Sequence, residues 1–60
     1  MSMQYIRETY NVPAKRGGRV RYAGKYCGTI TGARGAHLRI RLDRDGRVRL
    51  YHPTWEIEYL

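Results

Sequence analysis

His37-Leu38-Arg39-Ile40-Arg41-Leu42-Asp43-Arg44-Asp45-Gly46-Arg47-Val48-Arg49-Leu50-Tyr51-His52 is the stretch on which the fold turns. Leu38, Ile40 and Leu42 alternate with polar residues at period two, and Val48 and Leu50 resume the alternation after the break. That is the pattern of two half-buried strands joined as a β-hairpin. A two-residue Asp45-Gly46 turn would set Leu42 opposite Arg49, an apolar side chain against a charged one on a single face. A three-residue loop of Arg44, Asp45 and Gly46 instead predicts the pairs Asp43 with Arg47, Leu42 with Val48 and Ile40 with Leu50. In that loop Gly46 takes the left-handed conformation of a bulged turn.

The same register predicts the other face. Arg41 falls opposite Arg49 and Arg39 opposite Tyr51, so Arg39, Arg41, Arg47 and Arg49 collect on one side with Asp43 as the only counter-charge. Like charges directly opposite one another destabilise a sheet by up to roughly 1 kcal/mol, and a surface so arranged suits an anion. Two readings stand side by side: an anion-binding face, or solvated arginines that keep a small sheet edge from aggregating.

Sixty residues allow one domain with one small core. Hydrophobic residues at 42% and charged residues at 28% are ordinary for a folded chain. The charge balance is not: 12 Lys and Arg against 5 Asp and Glu give +7 and a pI of about 10.2, and all the cations except Arg7 lie between Lys15 and Arg49. A basic field of this density favours nucleic acid, an anionic membrane surface or an acidic protein. Lys15 and Lys25 are the only lysines. Arginine offers a planar fork of donors that fits phosphate oxygens or a guanine edge, which tilts the reading toward nucleic acid, RNA or DNA. Cys27 is alone and, with His37 and His52, supplies too few soft ligands for a structural zinc site, so a reducing, cytoplasmic setting without metal is expected. No apolar run reaches membrane-spanning length, so no membrane partner is expected.

Taken in order, residues 1–13 form an N-terminal arm or a short helix. Met3, Ile6 and Tyr10 stand at helical spacing behind Ser2 as a possible cap, and Pro13 ends the segment. Residues 14–60 form the main unit. Lys15-Arg16-Gly17-Gly18 is a basic turn into a strand over Arg19 to Tyr22 with Val20 and Tyr22 inward; no full phosphate-loop spacing follows it. Ala23-Gly24-Lys25 turns the chain into Tyr26-Cys27-Gly28-Thr29-Ile30-Thr31, where Gly28 marks a bend or a close backbone approach. Gly32-Ala33-Arg34-Gly35 connects to the hairpin with Arg34 at its tip. Beyond Pro53, Trp55, Ile57 and Tyr59 alternate with Glu56 and Glu58; returned beside the first strand, those acids approach Arg19 and Arg21. The whole reads as an all-β fold of five short strands.

Gly18-Arg19-Val20 followed by Gly24-Lys25-Tyr26-Cys27-Gly28-Thr29-Ile30 resembles the glycine-punctuated loop and strand of KOW-type modules, which are SH3-like small barrels of ribosomal and transcription proteins. The likeness covers about the first half of the barrel, and one of the family's glycines has no counterpart here. It implies a five-stranded SH3-like barrel that binds RNA or protein. Arg19-Val20-Arg21, Gly28-Thr29-Ile30-Thr31-Gly32 and Val48-Arg49-Leu50-Tyr51, followed by Glu56-Ile57, also resemble the plasmid-borne type II dihydrofolate reductases, tetrameric SH3-like barrels that bind folate and nicotinamide cofactor. Arg49 stands at that family's glutamine position and Tyr22 near its lysine position, so shared architecture with a different use is expected, with no enzyme activity and no cofactor.

No catalytic constellation emerges. His37 and His52 approach the same end of the hairpin but point to opposite faces in the predicted register, and Cys27 reads as a small strand residue. Tyr22, Trp55 and Tyr59 are assigned to packing, together with Val20, Ile30, Leu38, Ile40, Leu42, Val48, Leu50 and Ile57 as core. Tyr51 is placed outward among Arg39 and Arg49, either as a stacking face for a base or as an aromatic covered by arginine. The expected function is a nucleic-acid-binding module that uses Arg39, Arg41, Arg47, Arg49 and Tyr51, with Arg34, Lys15 and Arg16 at the margins. The alternative is a protein-interaction or homo-oligomerising module that covers an edge strand with a partner.

Overall fold

The computed structural model describes residues 3–60. Helix α1 spans Met3–Tyr10, with Ile6 fully buried and Met3 and Tyr10 packed against the core at the i−3 and i+4 positions around it. So short a helix does not persist alone and is held by docking. Its end is a left-handed stop: Asn11 has φ +54°, and the Val12 N–H reaches back to the Arg7 carbonyl at 3.3 Å. The Arg7 guanidinium donates to the Ala14 carbonyl at 2.9 Å and ties the helix to the segment leading into the sheet. The segment expected as arm or helix is thus a helix over these residues; the Ser2 cap lies outside the described residues.

Five strands follow: β1 Arg19–Tyr22, β2 Tyr26–Arg34, β3 His37–Leu42, β4 Val48–Tyr51 and β5 Ile57–Tyr59. They form one antiparallel sheet in the order β4-β3-β2-β1-β5, a small all-β, barrel-like fold with the helix on its inner side. Strand β2 is longer than the sequence pattern indicated, running through Gly32 to Arg34, with an irregularity between Ile30 and Gly32 that shifts its register against β3. The curl of the sheet shows in one contact. Tyr22 of β1 and Tyr51 of β4 have two strands between them, about 14 Å across a flat sheet, yet their ring centroids are 4.8 Å apart.

At Gly28 the β3 backbone approaches β2 closely. A Cβ there would sit 2.7 Å from the Arg41 carbonyl oxygen and 2.9 Å from Ile40 Cγ2, which is the close backbone approach expected of a glycine inside a strand. Val20, Ile30, Leu38, Ile40 and Leu42 are buried as predicted, and Ile6 and Ala14 complete the core. Among the described residues no helix is long and apolar enough to cross a membrane.

The hairpin itself differs from the predicted register by one residue. Leu38 faces Tyr51, Arg39 faces Leu50, Ile40 faces Arg49 and Arg41 faces Val48. The loop holds four residues, Asp43 to Gly46, closed by Leu42 N–H to the Arg47 carbonyl at 3.3 Å and by Gly46 N–H to the Leu42 carbonyl at 2.8 Å. Gly46 does take a left-handed conformation, φ +68°. Because side chains alternate, the one-residue difference exchanges the faces of β4. Val48 and Leu50, expected in the core, stand 49% and 48% exposed on the outer side, while Arg47, Arg49 and Tyr51 turn to the inner side. The inner side has no need of them: Ile6 arrives from the helix and Tyr51 packs against Tyr22. Trp55, also expected inside, is 70% exposed and stacks on His52 at 4.2 Å. The His37 and His52 rings, predicted to diverge, come within 6.3 Å.

Candidate nucleic-acid interface

The outer face of the sheet carries Arg19 and Arg21 on β1, Thr29 and Arg34 on β2, Arg39 and Arg41 on β3, and Val48 and Leu50 on β4. Two of these arginines are engaged. Arg19 forks onto Asp43, with Nη1 to Oδ1 at 3.1 Å and Nη2 to Oδ2 at 2.6 Å, and donates to Thr29 Oγ1 at 2.7 Å. These hydrogen bonds from Arg19 hold the Asp43 carboxyl below its ordinary range. Arg21 donates from Nε and Nη2 to Glu58 Oε1 at 3.0 and 2.7 Å, so Glu58 meets β1 as the alternation of the last strand predicted, whereas Arg19 takes Asp43 in place of Glu56.

Arg34, Arg39 and Arg41 make no ion pair among the described residues. Arg16 joins them from the loop before β1. Its Nη2 would lie in van der Waals reach, 3.9 Å, of a Cβ at Gly32, the cross-strand neighbour of Arg39, so the guanidinium lies over the sheet beside β3. Arg34, Arg39, Val48, Arg49 and Leu50 line a shallow depression of about 310 Å³ on this side. Lys15 is exposed at the preceding turn, where its carbonyl accepts the Gly18 N–H at 3.0 Å.

Arg47 and Tyr51 therefore turn to the side opposite Arg39 and Arg41, and Arg49, on the same parity, reaches the depression beside Arg39 only around the sheet edge, contrary to the single arginine face that the sequence predicted, because the four-residue loop reverses the parity of β4. Arg49 donates to Asp45 Oδ2 at 2.8 Å, and Asp45 Oδ1 accepts the Arg47 N–H at 2.9 Å. The Arg49 hydrogen bond, and then that backbone donor, draw the Asp45 carboxyl down to about 2.

Beside this pair is a cleft of about 360 Å³ lined by Tyr22, Tyr26, Leu42, Arg44, Asp45, Arg49 and Tyr51. Tyr22 stands edge-on to Tyr51 and nearly parallel to Tyr26, with centroids 6.5 Å apart in the second pair. The Arg44 guanidinium and the Lys25 ammonium lie 4.8 and 4.9 Å from the Tyr26 ring centre. A hydrogen bond from Lys25, its positive charge and that of Arg44 lower the Tyr26 phenol below its ordinary range. Neither Tyr22, expected in packing, nor Tyr26 stands out in the sequence as a site residue. The usable signal was the Ala23-Gly24-Lys25 turn, which makes Tyr22 and Tyr26 a cross-strand pair.

The two sides of β4 thus offer different chemistry: unpaired cations with exposed aliphatic side chains on one, aromatic rings with cations on the other. Comparison of the chain with protein-family models, with curated proteins and with solved structures found no match.

Proposed function

We propose that this chain is a small basic module that binds nucleic acid, RNA or DNA, through phosphate contacts on the outer face of its sheet. The observation that carries the reading is the convergence of Arg16, Arg34, Arg39 and Arg41 on that face, while its two acids are taken up by Arg19 and Arg21. Guanidinium forks without carboxylate partners are available to phosphate oxygens, and the +7 charge favours encounter with a polyanion. The resemblance to KOW-type modules supports the same class. Contacts of this kind position a backbone and do not read sequence.

Binding through about four phosphates gives a slope of log affinity against log salt of about −3 to −4. Titration of a labelled oligonucleotide at several salt concentrations measures it, and a flat response rejects the reading. The double variant Arg39→Ser with Arg41→Ser is expected to keep its circular dichroism spectrum and lose most of its retention.

A second reading, self-association or protein interaction, draws on Val48 and Leu50, half-exposed on the β4 edge. A solution mass above that of one chain, falling to the monomer in Val48→Thr with Leu50→Thr, would favour it. A reductase role finds less support, since Arg49 is held by Asp45 where the reductases present an amide. Folate with NADPH is expected to give no turnover.

A further inference from the structure

We infer that the cleft between Tyr22, Tyr26 and Tyr51 receives an unpaired base of a single-stranded nucleic acid whose backbone crosses the β4 edge at Arg49. This rests on the nucleic-acid reading above and adds to it the strandedness of the ligand and a second contact surface. The cleft's volume, about 360 Å³, lies within the range typical of ligand pockets, about 300–1,000 Å³. Its walls suit a flat, electron-rich ring carried by an anion. Tyrosine faces stack on bases whatever their sequence, and cations beside the rings attract the phosphate that accompanies the base. Arg44 and Lys25 flank Tyr26 at 4.8 and 4.9 Å, so aromatic and cationic groups meet at one wall.

Arg49, whose Nη2 donates to Asp45 at the mouth of the cleft, makes the connection. It lines both this cleft and the depression on the outer face, and it sits on an edge strand that no other strand pairs with among the described residues. A backbone held by Arg39 and Arg34 on the outer face passes Arg49 as it turns the edge and delivers the next base to the tyrosines. A flexible single strand makes that turn with its bases splayed, whereas a duplex keeps its bases stacked and paired.

The test is fluorescence anisotropy of the full chain with three end-labelled probes: a deoxythymidine oligomer of about 12 nucleotides, within the site sizes known for single-strand-binding barrels, an abasic sugar-phosphate chain of the same length, and a duplex of the same length. The expected result is binding of the thymidine oligomer about tenfold or more tighter than the abasic chain, since stacking contributes about 1–3 kcal/mol per base, and tighter than the duplex. Tyr26→Leu is expected to abolish that preference and Tyr26→Phe to preserve it. Should Tyr26→Leu fail to fold, the tyrosine ring resonances of the unaltered chain decide: those of Tyr22, Tyr26 and Tyr51 shift with the thymidine oligomer and not with the abasic chain. Equal affinity for the thymidine and abasic probes, or a preference for duplex, overturns the inference while the phosphate reading stands. Failure to bind any of the probes, or equal binding of a polyglutamate peptide, overturns both.

Discussion

Gly28 and Gly46 show how differently a missing side chain acts at two positions of one sheet. At Gly28 an added methyl would collide with a carbonyl oxygen at 2.7 Å, a backbone atom that can yield only by parting β2 from β3. Gly28→Ala is expected to cost about 1–3 kcal/mol. At Gly46 the surroundings are open and the cost lies in φ +68°, so Gly46→Ala is expected to cost about 1 kcal/mol. Urea denaturation followed by circular dichroism ranks them. Both glycines were legible in the sequence, one as a glycine inside a β pattern and the other as the left-handed end of the Arg44-Asp45-Gly46 loop. Asn11, Ala23 and Glu56 also adopt positive φ, and nothing in their residue type announces it for the latter two. Tyr59 carries a different signal: its hydroxyl donates to the Pro53 carbonyl at 2.7 Å, and burial pushes its phenol up to about 12. The folded pKa lies above the ordinary value of 10.0, so the protonated phenol supports the fold below pH 10 and that support is lost as the pH climbs toward 12. Tyr59→Phe is expected to cost about 1 kcal/mol at neutral pH and to remove this part of the alkaline loss, as read from denaturation midpoints across that range.

At the scale of the element, the β3–β4 hairpin was legible as a hairpin and misread in register, and the reason is physical. Apolar residues on neighbouring strands ordinarily share a face, which predicts Val48 and Leu50 on the side of Leu38, Ile40 and Leu42. Here the inner side is supplied from elsewhere, by Ile6 and by the Tyr51 ring on Tyr22, and Asp45 holds the loop by accepting from Arg47 and Arg49. The candidate site inherited that error. Arg39 and Arg41 do share a face, but Arg47 and Arg49, expected beside them, leave the sheet on the opposite parity, and Arg49 meets Arg39 only around the edge. Substituting both Val48 and Leu50 by Thr, which keeps β-propensity, is expected to change stability by less than about 1 kcal/mol, whereas Leu38→Ala should cost about 2–5 kcal/mol. A register that buried Val48 and Leu50 would give two large losses in the same thermal melts. The loop also has an acid signature. Asp45's folded pKa of about 2 lies below its ordinary 3.8, so its contribution is in place above pH 4 and disappears as the pH falls through 2. Asp45→Ala is expected to flatten the pH dependence of stability over that interval.

For the molecule as a whole, the helix decides whether the sheet has an inside. An eight-residue segment with Met3, Ile6 and Tyr10 on one stripe gives too weak a signal to separate helix from arm by sequence, because its stability comes from the surface it docks on. In the structure Ile6 is fully buried in the same cluster as Val20, Ile30, Leu38 and Ile40, so the helix covers the inner side of the sheet. A chain of this length has a total stability of roughly 3–9 kcal/mol. Removing the buried part of one isoleucine takes about 2–5 kcal/mol of that, so Ile6→Ala is expected to leave a large unfolded population at 37 °C, while Ile6→Val, at about 0.5–1.5 kcal/mol, stays folded. Both proposed surfaces depend on the same sheet, whose register sets the outer arginines on one side and whose curl brings Tyr22 to Tyr51 on the other. A ligand that binds only the folded chain shifts the equilibrium back by mass action. Adding the thymidine oligomer at low salt is therefore expected to raise the midpoint of Ile6→Ala in a urea titration, and at high salt, where phosphate contacts weaken, the rescue should vanish. Rescue that persists at high salt would mean that the cations do not carry the binding.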